Sequence, residues 1–428
     1  MTGAAERPPG HHPGSVDVHG HAGAPDWGAL PIFDPVQITS VYQPIVDLET
    51  REIVGAEALA RWPQLTVTPD MAFEYARHAQ RIEELDLLCQ QAAVEGSLQV
   101  PLPEGFKVFV NVEPGSDVEN LTRASNRIKT VAEITERALL HNPAELLSSI
   151  RTMRRRGCGI ALSHVGSVPD TLAMLPFVAP DVIKLDISLV RGWPNRDQAR
   201  ILTAVAAYAE RSGATILAEG IETHAHLEQA MALGATLGQG WYFSRPGPLR
   251  EFPPITRSIG LVAPQSEFVD TPFSLLDHSK VRIASKGMLL AISRHIEDQG
   301  LGLETPPIVL AAFQDSSRFT PATARRYRAL AARCPLVVAL GAGIGPFDFP
   351  GIRGADLATA DTLRGEWTVV VVGTHYAGAL IARDLGDGGP DLERRFEFAL
   401  THDHESVLSA ARSLLGRIKP IARYVHAL

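Results

Sequence analysis

Between residues 33 and 254, short apolar runs alternate with longer segments whose apolar positions return every three to four residues. The runs lie at 53–56, 108–110, 131–132, 160–162, 182–185 and 215–218, with segments such as 71–95 and 196–211 between them. Runs of this length predict buried strands and the longer segments predict helices. Their alternation predicts repeated βα units, with a parallel sheet inside and helices outside. At least six such units favour a closed (β/α) barrel over an open doubly wound sheet.

Residues 253–271 carry Pro253, Pro254 and Pro264 among scattered polar positions and predict a linker. A second, smaller α/β region is expected over 272–428. It should hold a helix near 285–298, a strand at 308–313, a basic helix at 322–333, and strands at 336–340 and 367–372. Two further strands at 376–384 and 395–401 should pair, and a helix over 405–417 should close the region. Residues 1–33 are rich in Pro, Gly, Ala and His and lack apolar periodicity, which predicts a disordered tail. His11, His12, His19 and His21 could meet a transition metal there. No Cys or acid cluster completes a site, so a solvated tail is expected.

Composition narrows the function classes. A net charge of −8 argues against a general nucleic-acid or anionic-membrane binder. The three cysteines, Cys89, Cys158 and Cys334, lie far apart, which suits a reducing compartment and excludes a disulfide framework. No run of about 18 apolar residues and no signal segment occurs, so a cytoplasmic protein is expected.

In a parallel barrel, chemistry sits at the C-terminal ends of the strands. The run at 53–56 delivers Glu57, 108–110 delivers Asn111, and 131–132 delivers Glu133 with Glu136 close behind. The run at 182–185 carries Lys184, with Asp186 two residues on, and 215–218 delivers Glu219 and then Glu222. Gln239 stands between Gly238 and Gly240. A single glutamate at such a place would read as a helix cap or a surface ion pair. Six strand ends in order point to one shared rim of carboxylates, amides and a lysine. Oxygen donors of this kind suit Mg²⁺ or Mn²⁺. A lysine can balance charge or orient a water, and a spare glutamate can take its proton. The set reads as that of a metal-assisted phosphodiester hydrolase.

The motifs resemble those of EAL domains, the cyclic di-GMP phosphodiesterases with a (β/α)8-type barrel. Tyr42-Gln-Pro-Ile-Val and Gly55-Ala-Glu-Ala-Leu-Ala-Arg-Trp62 are similar to the family's opening. Phe109-Val-Asn111, Glu133-Ile-Thr-Glu136, Ile183-Lys-Leu-Asp186, Ala218-Glu-Gly-Ile-Glu222 and Gly238-Gln-Gly-Trp-Tyr-Phe243 follow in family order, closing on Arg245-Pro246. The resemblance spans residues 34–252. It implies Glu57, Asn111, Glu133 and Asp186 as ligands of Mg²⁺ or Mn²⁺, Glu219 as general base, and Lys184 as a positioning group for water or metal. It also implies that Glu136 steadies the loop over the site. Gln43, Leu59, Arg61, Glu222 and Gln239 would hold the dinucleotide, with the Arg61 fork on a phosphate.

One motif departs. Where active members carry Asp-Asp-Phe-Gly, this chain has Ser163-His164-Val165-Gly166. The family's first aspartate bridges two metal ions and its second helps to hold one of them. Serine is neutral and a weak ligand for a hard cation. Losing even one preorganised electrostatic element costs about 3–4 kcal/mol, on the order of 10²–10³ in rate. His164 could hold a single softer ion, or it is simply hydrogen-bonded at the strand end. Glu113 stands where the family usually has serine and adds a negative charge near the site.

The region after residue 270 resembles the DICT sensory domain through Thr271-Pro-Phe-Ser-Leu-Leu276, Val337-Val-Ala-Leu-Gly341 and residues 367–373. Gly341, Gly343 and Gly345 follow a strand, but Pro346 interrupts the phosphate-loop fingerprint. Arg325, Arg326, Arg328 and Arg333 on one helix read as a solvated face or as a contact for an anion or partner. The expected function is cyclic di-GMP signalling by a barrel that is inactive or strongly impaired. Such a barrel would act as a cyclic di-GMP receptor or protein-interaction module under a C-terminal sensory domain. The alternative is a slow or metal-shifted phosphodiesterase that makes linear pGpG. The expected partners are cyclic di-GMP, a protein and, by resemblance, a second copy in a homodimer, with no nucleic acid and no membrane.

Overall fold

The computed structural model describes residues 31–113, 115–119, 121, 127–135, 140, 142–166, 169–192, 194–261, 270–346, 349 and 351–419. The histidines expected in the N-terminal tail and Glu136 lie outside the described residues.

Eight strands close a barrel in chain order. They are β1 (Thr39–Asp47), β2 (Ile53–Arg61), β3 (Lys107–Asn111), β4 (Lys129–Ile134), β5 (Gly159–Val165), β6 (Val182–Leu185), β7 (Thr215–Ala218) and β8 (Leu237–Gly238). The six apolar runs become β2 to β7. The expectation of a wholly parallel sheet needs correction, because β1 runs antiparallel to both β2 and β8. The connection from residue 48 to 52 is too short for a crossover and can make only a hairpin. Asp47 fixes that turn by accepting from the backbone of Glu49 and Thr50, both at 2.9 Å. The helix expected over 71–95 is two helices, Pro69–His78 and Ile82–Leu98. They break at Gln80, whose φ of 57° is left-handed and cannot continue a helix.

The barrel interior holds an apolar layer of Ile45, Val54, Phe109, Val131, Ala161, Val182, Leu217 and Leu237. Ile259 joins this layer from the stretch expected to be a linker, and it is 6% exposed. Its neighbours tie down around the strand starts. Thr256 bonds to Glu52, and Ser258 takes the Lys107 ammonium at 3.1 Å while donating to the Gly105 carbonyl. The stretch therefore stoppers the end of the barrel opposite the strand C-termini. Ile259→Ala is expected to cost about 2–5 kcal/mol, read as a lower urea midpoint with an unchanged slope. An unmoved midpoint would show that the stopper contributes nothing. Ile32 and Phe33 also pack on the barrel rather than trailing as tail. Ile32 is fully buried and accepts from the Trp62 indole, and Phe33 lies under the Arg81 guanidinium.

The second region is a seven-stranded sheet in the order β12-β11-β10-β13-β14-β15-β9. Its strands are β9 (Arg282–Ser285), β10 (Ile308–Asp315), β11 (Leu336–Ala342), β12 (Arg353–Asp356), β13 (Glu366–Val372), β14 (Ala377–Asp384) and β15 (Arg395–Thr401). β10, β11 and β12 are parallel, and the remaining pairings are antiparallel, including the expected β14–β15 pair. Alternation along the strands gives the sheet two apolar faces. One face packs with helices Lys286–Gly302 and Pro321–Ala331. The other meets helix His404–Leu415, and that face, the helix and the outer layer of the barrel form one continuous core. Every residue from Val407 to Leu415 is buried, as expected of a helix enclosed on all sides. Hydrogen bonds cross the same boundary, from Arg412 to the Pro176 carbonyl at 3.0 Å and from Arg211 to the Thr374 carbonyl at 3.2 Å. After β11, Gly343 donates to Asp356, and among the described residues no helix precedes β12. The glycines there do not form a phosphate-cradling strand–loop–helix.

Candidate active site at the mouth of the barrel

The polar residues expected at the strand ends form a layer two positions above the apolar one. Phe109, Val131, Ala161, Val182, Leu217 and Leu237 point inward, so Asn111, Glu133, Ser163, Lys184, Glu219 and Gln239 do too. β1 runs the other way, so Gln43 joins the layer from before Ile45. Strand periodicity alone aims six neighbouring strands at one point.

Lys184 occupies that point and is 1% exposed. Its ammonium donates to both Glu133 oxygens at 2.7 Å and to Glu57 at 3.0 Å, and lies 2.9 Å from Glu219. Glu57 also accepts from Gln239 at 2.8 Å and from Asn111 at 3.3 Å. Gln239 donates in turn to Gln43 at 3.2 Å. Burial works against the Lys184 charge, yet Glu133, Glu219 and Glu57 raise its pKa well above the ordinary value. Burial also works against the Glu57 charge, while Lys184, Gln239 and Asn111 hold its carboxyl below the usual range. Glu133 goes the other way. Burial and the adjacent Glu57 charge push it up to about 8.

The oxygen donors Glu57, Asn111 and Glu133 suit a hard divalent ion. As they stand, turned onto Lys184, no three His, Cys, Asp or Glu among the described residues are disposed to hold one. β5 adds no carboxylate. Its pairing with β6 steps from Leu162–Ile183 to Val165–Leu185, so Ser163 and His164 together face Lys184 as a bulge. The strand thus continues through both residues rather than ending before them. Ser163 is buried, and its hydroxyl donates to the Ile134 carbonyl at 3.3 Å. His164 has a left-handed φ of 57° and swings outward, with its Nδ1 3.9 Å from the Asp186 carboxylate.

Several expected residues stand apart from the Lys184 cluster. Asp186 caps helix Ile187–Val190 by accepting from Ser188 at 2.8 Å. Glu222 pairs with Arg191 at 2.6 Å on the rim. Leu59 and Arg61 lie further along β2, and Arg61 donates to the Ala60 carbonyl. Glu113 is paired with Arg77 at 3.0 Å, which offsets the charge expected to disturb a ligand.

Asp86 was not singled out by its sequence. It is 1% exposed, and its carboxylate accepts from the Glu113 backbone at 3.1 Å and from Gln90 at 2.7 Å. It thereby pins the segment two residues beyond Asn111. Burial raises its pKa from an ordinary 3.8 up to about 6. The fold favours the protonated acid, so this contribution is full below pH 3.8 and is lost as pH rises through 6. Asp86→Asn removes the charge, and the Gln90 carbonyl oxygen, buried without a partner, can turn to accept from the new amide. The variant is expected to be about 2–3 kcal/mol more stable at neutral pH and to lose the slope of stability between pH 4 and 6, read by urea unfolding across that range. A retained slope would assign it to other groups.

Residues 35–246 match the EAL domain model, and residues 271–385 match the model described as a sensory domain in diguanylate cyclases and two-component systems, DICT. The chain is similar to the cyclic di-GMP phosphodiesterase RocR of Pseudomonas aeruginosa, at 30% identity over 51% of this chain and 60% of that protein. It is also similar to the oxygen sensor protein DosP of Escherichia coli, at 29% identity over 51% of this chain and 29% of that protein. It thus spans less than two thirds of the length of either relative. Among solved structures, a cyclic di-GMP complex of the PaMucR phosphodiesterase aligns at 22% identity and a TM-score of 0.44, covering 51% of this chain and 98% of that one. A manganese and cyclic di-GMP complex of Klebsiella pneumoniae BlrP1 aligns at 25% identity and a TM-score of 0.45, covering 49% and 56%. No described helix is long and apolar enough to cross a membrane. The chain belongs to the EAL domain family over residues 35–246 and carries a DICT sensory domain over residues 271–385.

Proposed function

We propose that this protein binds cyclic di-GMP at the mouth of the barrel and reports its presence, with hydrolysis absent or strongly impaired. The observation that carries this reading is the β5 bulge, where a buried hydroxyl and an outward imidazole stand beside Lys184 in place of two carboxylates. Support for the ligand comes from the EAL membership and from relatives named as cyclic di-GMP phosphodiesterases.

Within the proposal, Glu57, Asn111 and Glu133 would hold one hard divalent ion, which would supply positive charge beside a phosphate. The residues of this chain do the rest. Gln43 and Gln239 fix the floor of the site through Glu57, and Arg61 stands further up β2 to meet a phosphate. Glu219, 2.9 Å from the Lys184 ammonium, is the group placed to accept a proton from a water. Its survival favours the second reading, a slow phosphodiesterase that makes linear pGpG.

Calorimetry and a pGpG assay on the full chain, across Mg²⁺, Mn²⁺ and Zn²⁺, separate the two readings. Binding without turnover is expected, and Arg61→Ala should weaken binding about tenfold or more. Turnover that disappears in Glu57→Ala would establish the slow enzyme. Absence of binding at high micromolar ligand would leave a protein-interaction module.

A further inference from the structure

At one end of the seven-stranded sheet, three cations from separate elements converge on a single carboxylate. Lys286 opens helix Lys286–Gly302, Arg318 ends the turn that follows β10, and Arg394 immediately precedes β15. Asp391, on the β14–β15 connection, meets the Lys286 ammonium at 2.5 Å through one oxygen. Through the other it meets Arg318 at 2.6 Å and Arg394 at 3.5 Å. The three cationic side chains are 13%, 33% and 17% exposed, and Asp391 is 55% exposed. The cations are therefore part of the wall, and the carboxylate reaches them from the solvent side.

We propose that this cluster is the anion-binding socket of the sensory domain, that Asp391 fills it as an internal substitute, and that the ligand is a small phosphate-bearing molecule. Three further observations point the same way. The Arg318 Nε is buried and lacks a hydrogen-bond partner, with the Asp315 carboxylate at 3.9 Å, so the socket has more donors than Asp391 satisfies. Burial and the nearby Arg318 charge both weaken the hold of Arg394 on its proton, a like-charge crowding that a multivalent anion relieves. The tip of the connection carrying Asp391 stands in open space. A Cβ at Gly386, Gly388 or Gly389 would touch nothing within 4 Å, and Gly386 and Gly389 have φ of 71° and 136°. Gly287 and Lys286 hold the Leu392 and Arg394 carbonyls at 2.9 and 2.8 Å, so the Asp391 side chain turns away while the backbone beside it stays.

Charge and geometry select the ligand class. Asp384 is taken by Arg394 and Gln314, and Asp315 lies beside Arg318. With Asp391 withdrawn, Lys286, Arg318 and Arg394 face Asp315 and Asp384 among the described residues, leaving a net positive charge for a ligand. Donors arriving from three directions suit the tetrahedral oxygens of phosphate better than the two coplanar oxygens of a carboxylate. The socket lies at the carboxyl end of β10, the end of a parallel pair where open α/β sheets hold ligands.

The test is calorimetry on the full chain with inorganic phosphate, using acetate as the carboxylate control. A short loop presents its carboxylate at millimolar effective concentration, so Asp391→Asn should bind phosphate on the order of tenfold more tightly than the wild type. Adding Lys286→Met should abolish the gain. If Asp391→Asn binds no more tightly, or if Lys286→Met leaves the gain intact, the cluster is only a staple for the loop and the proposal falls. An equal gain for acetate would overturn the phosphate assignment. Should Asp391→Asn fail to fold, the wild type supplies the test. Phosphate should raise its Tm above that in chloride of equal ionic strength, and Lys286→Met should cancel the rise. No rise would sink the socket.

Discussion

Replacing Ser163 and His164 together with aspartate is expected to raise conversion of cyclic di-GMP to linear pGpG by at least about 10²–10³-fold, because two preorganised charges return to the site. The bulge makes the exchange structurally feasible. His164 sits at a φ of 57°, and aspartate is among the few residues that enter this region at modest cost. Ser163 is harder, because its 2% exposure means that an aspartate there takes a charge out of water. The double variant should therefore unfold more readily in EDTA than in Mg²⁺ or Mn²⁺. A folded double variant with no turnover would remove the bulge as the proposed reason for absent or impaired hydrolysis.

Lys184→Met is expected to be the most destabilising single change in the barrel, by about 3–5 kcal/mol, because it leaves buried carboxylates without their counter-charge. Lys184 is 1% exposed and touches Glu133, Glu57 and Glu219 within 3.0 Å. The direction with pH follows from the carboxylates. In acid they are protonated and tolerate the loss, so the deficit should be small near pH 4 and should grow as Glu57 and then Glu133 ionise toward pH 8. Urea unfolding at several pH values, with and without divalent cation, measures it. Partial rescue by the cation is expected. A deficit independent of pH would mean that Lys184 contributes packing rather than charge.

The barrel was legible because each of its runs is short, apolar and flanked by polar residues, and because the residue beyond each run carries a functional group. β1 was harder to place. Its direction depends on the length of the following turn, which apolar periodicity does not encode. The break at Gln80 was hidden because glutamine rarely takes a left-handed φ, and only the packed structure forces it there. In the site, spacing identified Glu57, Asn111, Glu133, Lys184, Glu219 and Gln239 as neighbours. It could not show that the ammonium sits at their centre, since that depends on inward direction shared by strands far apart in sequence. Ser163 and His164 were legible as a chemical departure but not as a bulge, which is a property of pairing with β6. Asp86 gave no signal because an aspartate inside a helix is ordinarily solvated. Ile259 was hidden by surrounding prolines and polar residues that read as linker.

The enclosed helix His404–Leu415 has a consequence for how the two regions behave as parts. The two family matches cover residues 35–246 and 271–385, and neither includes this helix. Yet the helix shares its core with the outer wall of the barrel and one face of the sheet. Excising either module would strip an apolar wall, and removing residues 35–246 would also leave Arg412 without the Pro176 carbonyl it reaches across the seam. A fragment ending at residue 385 or beginning at 271 would be a sticky surface rather than a miniature of the whole.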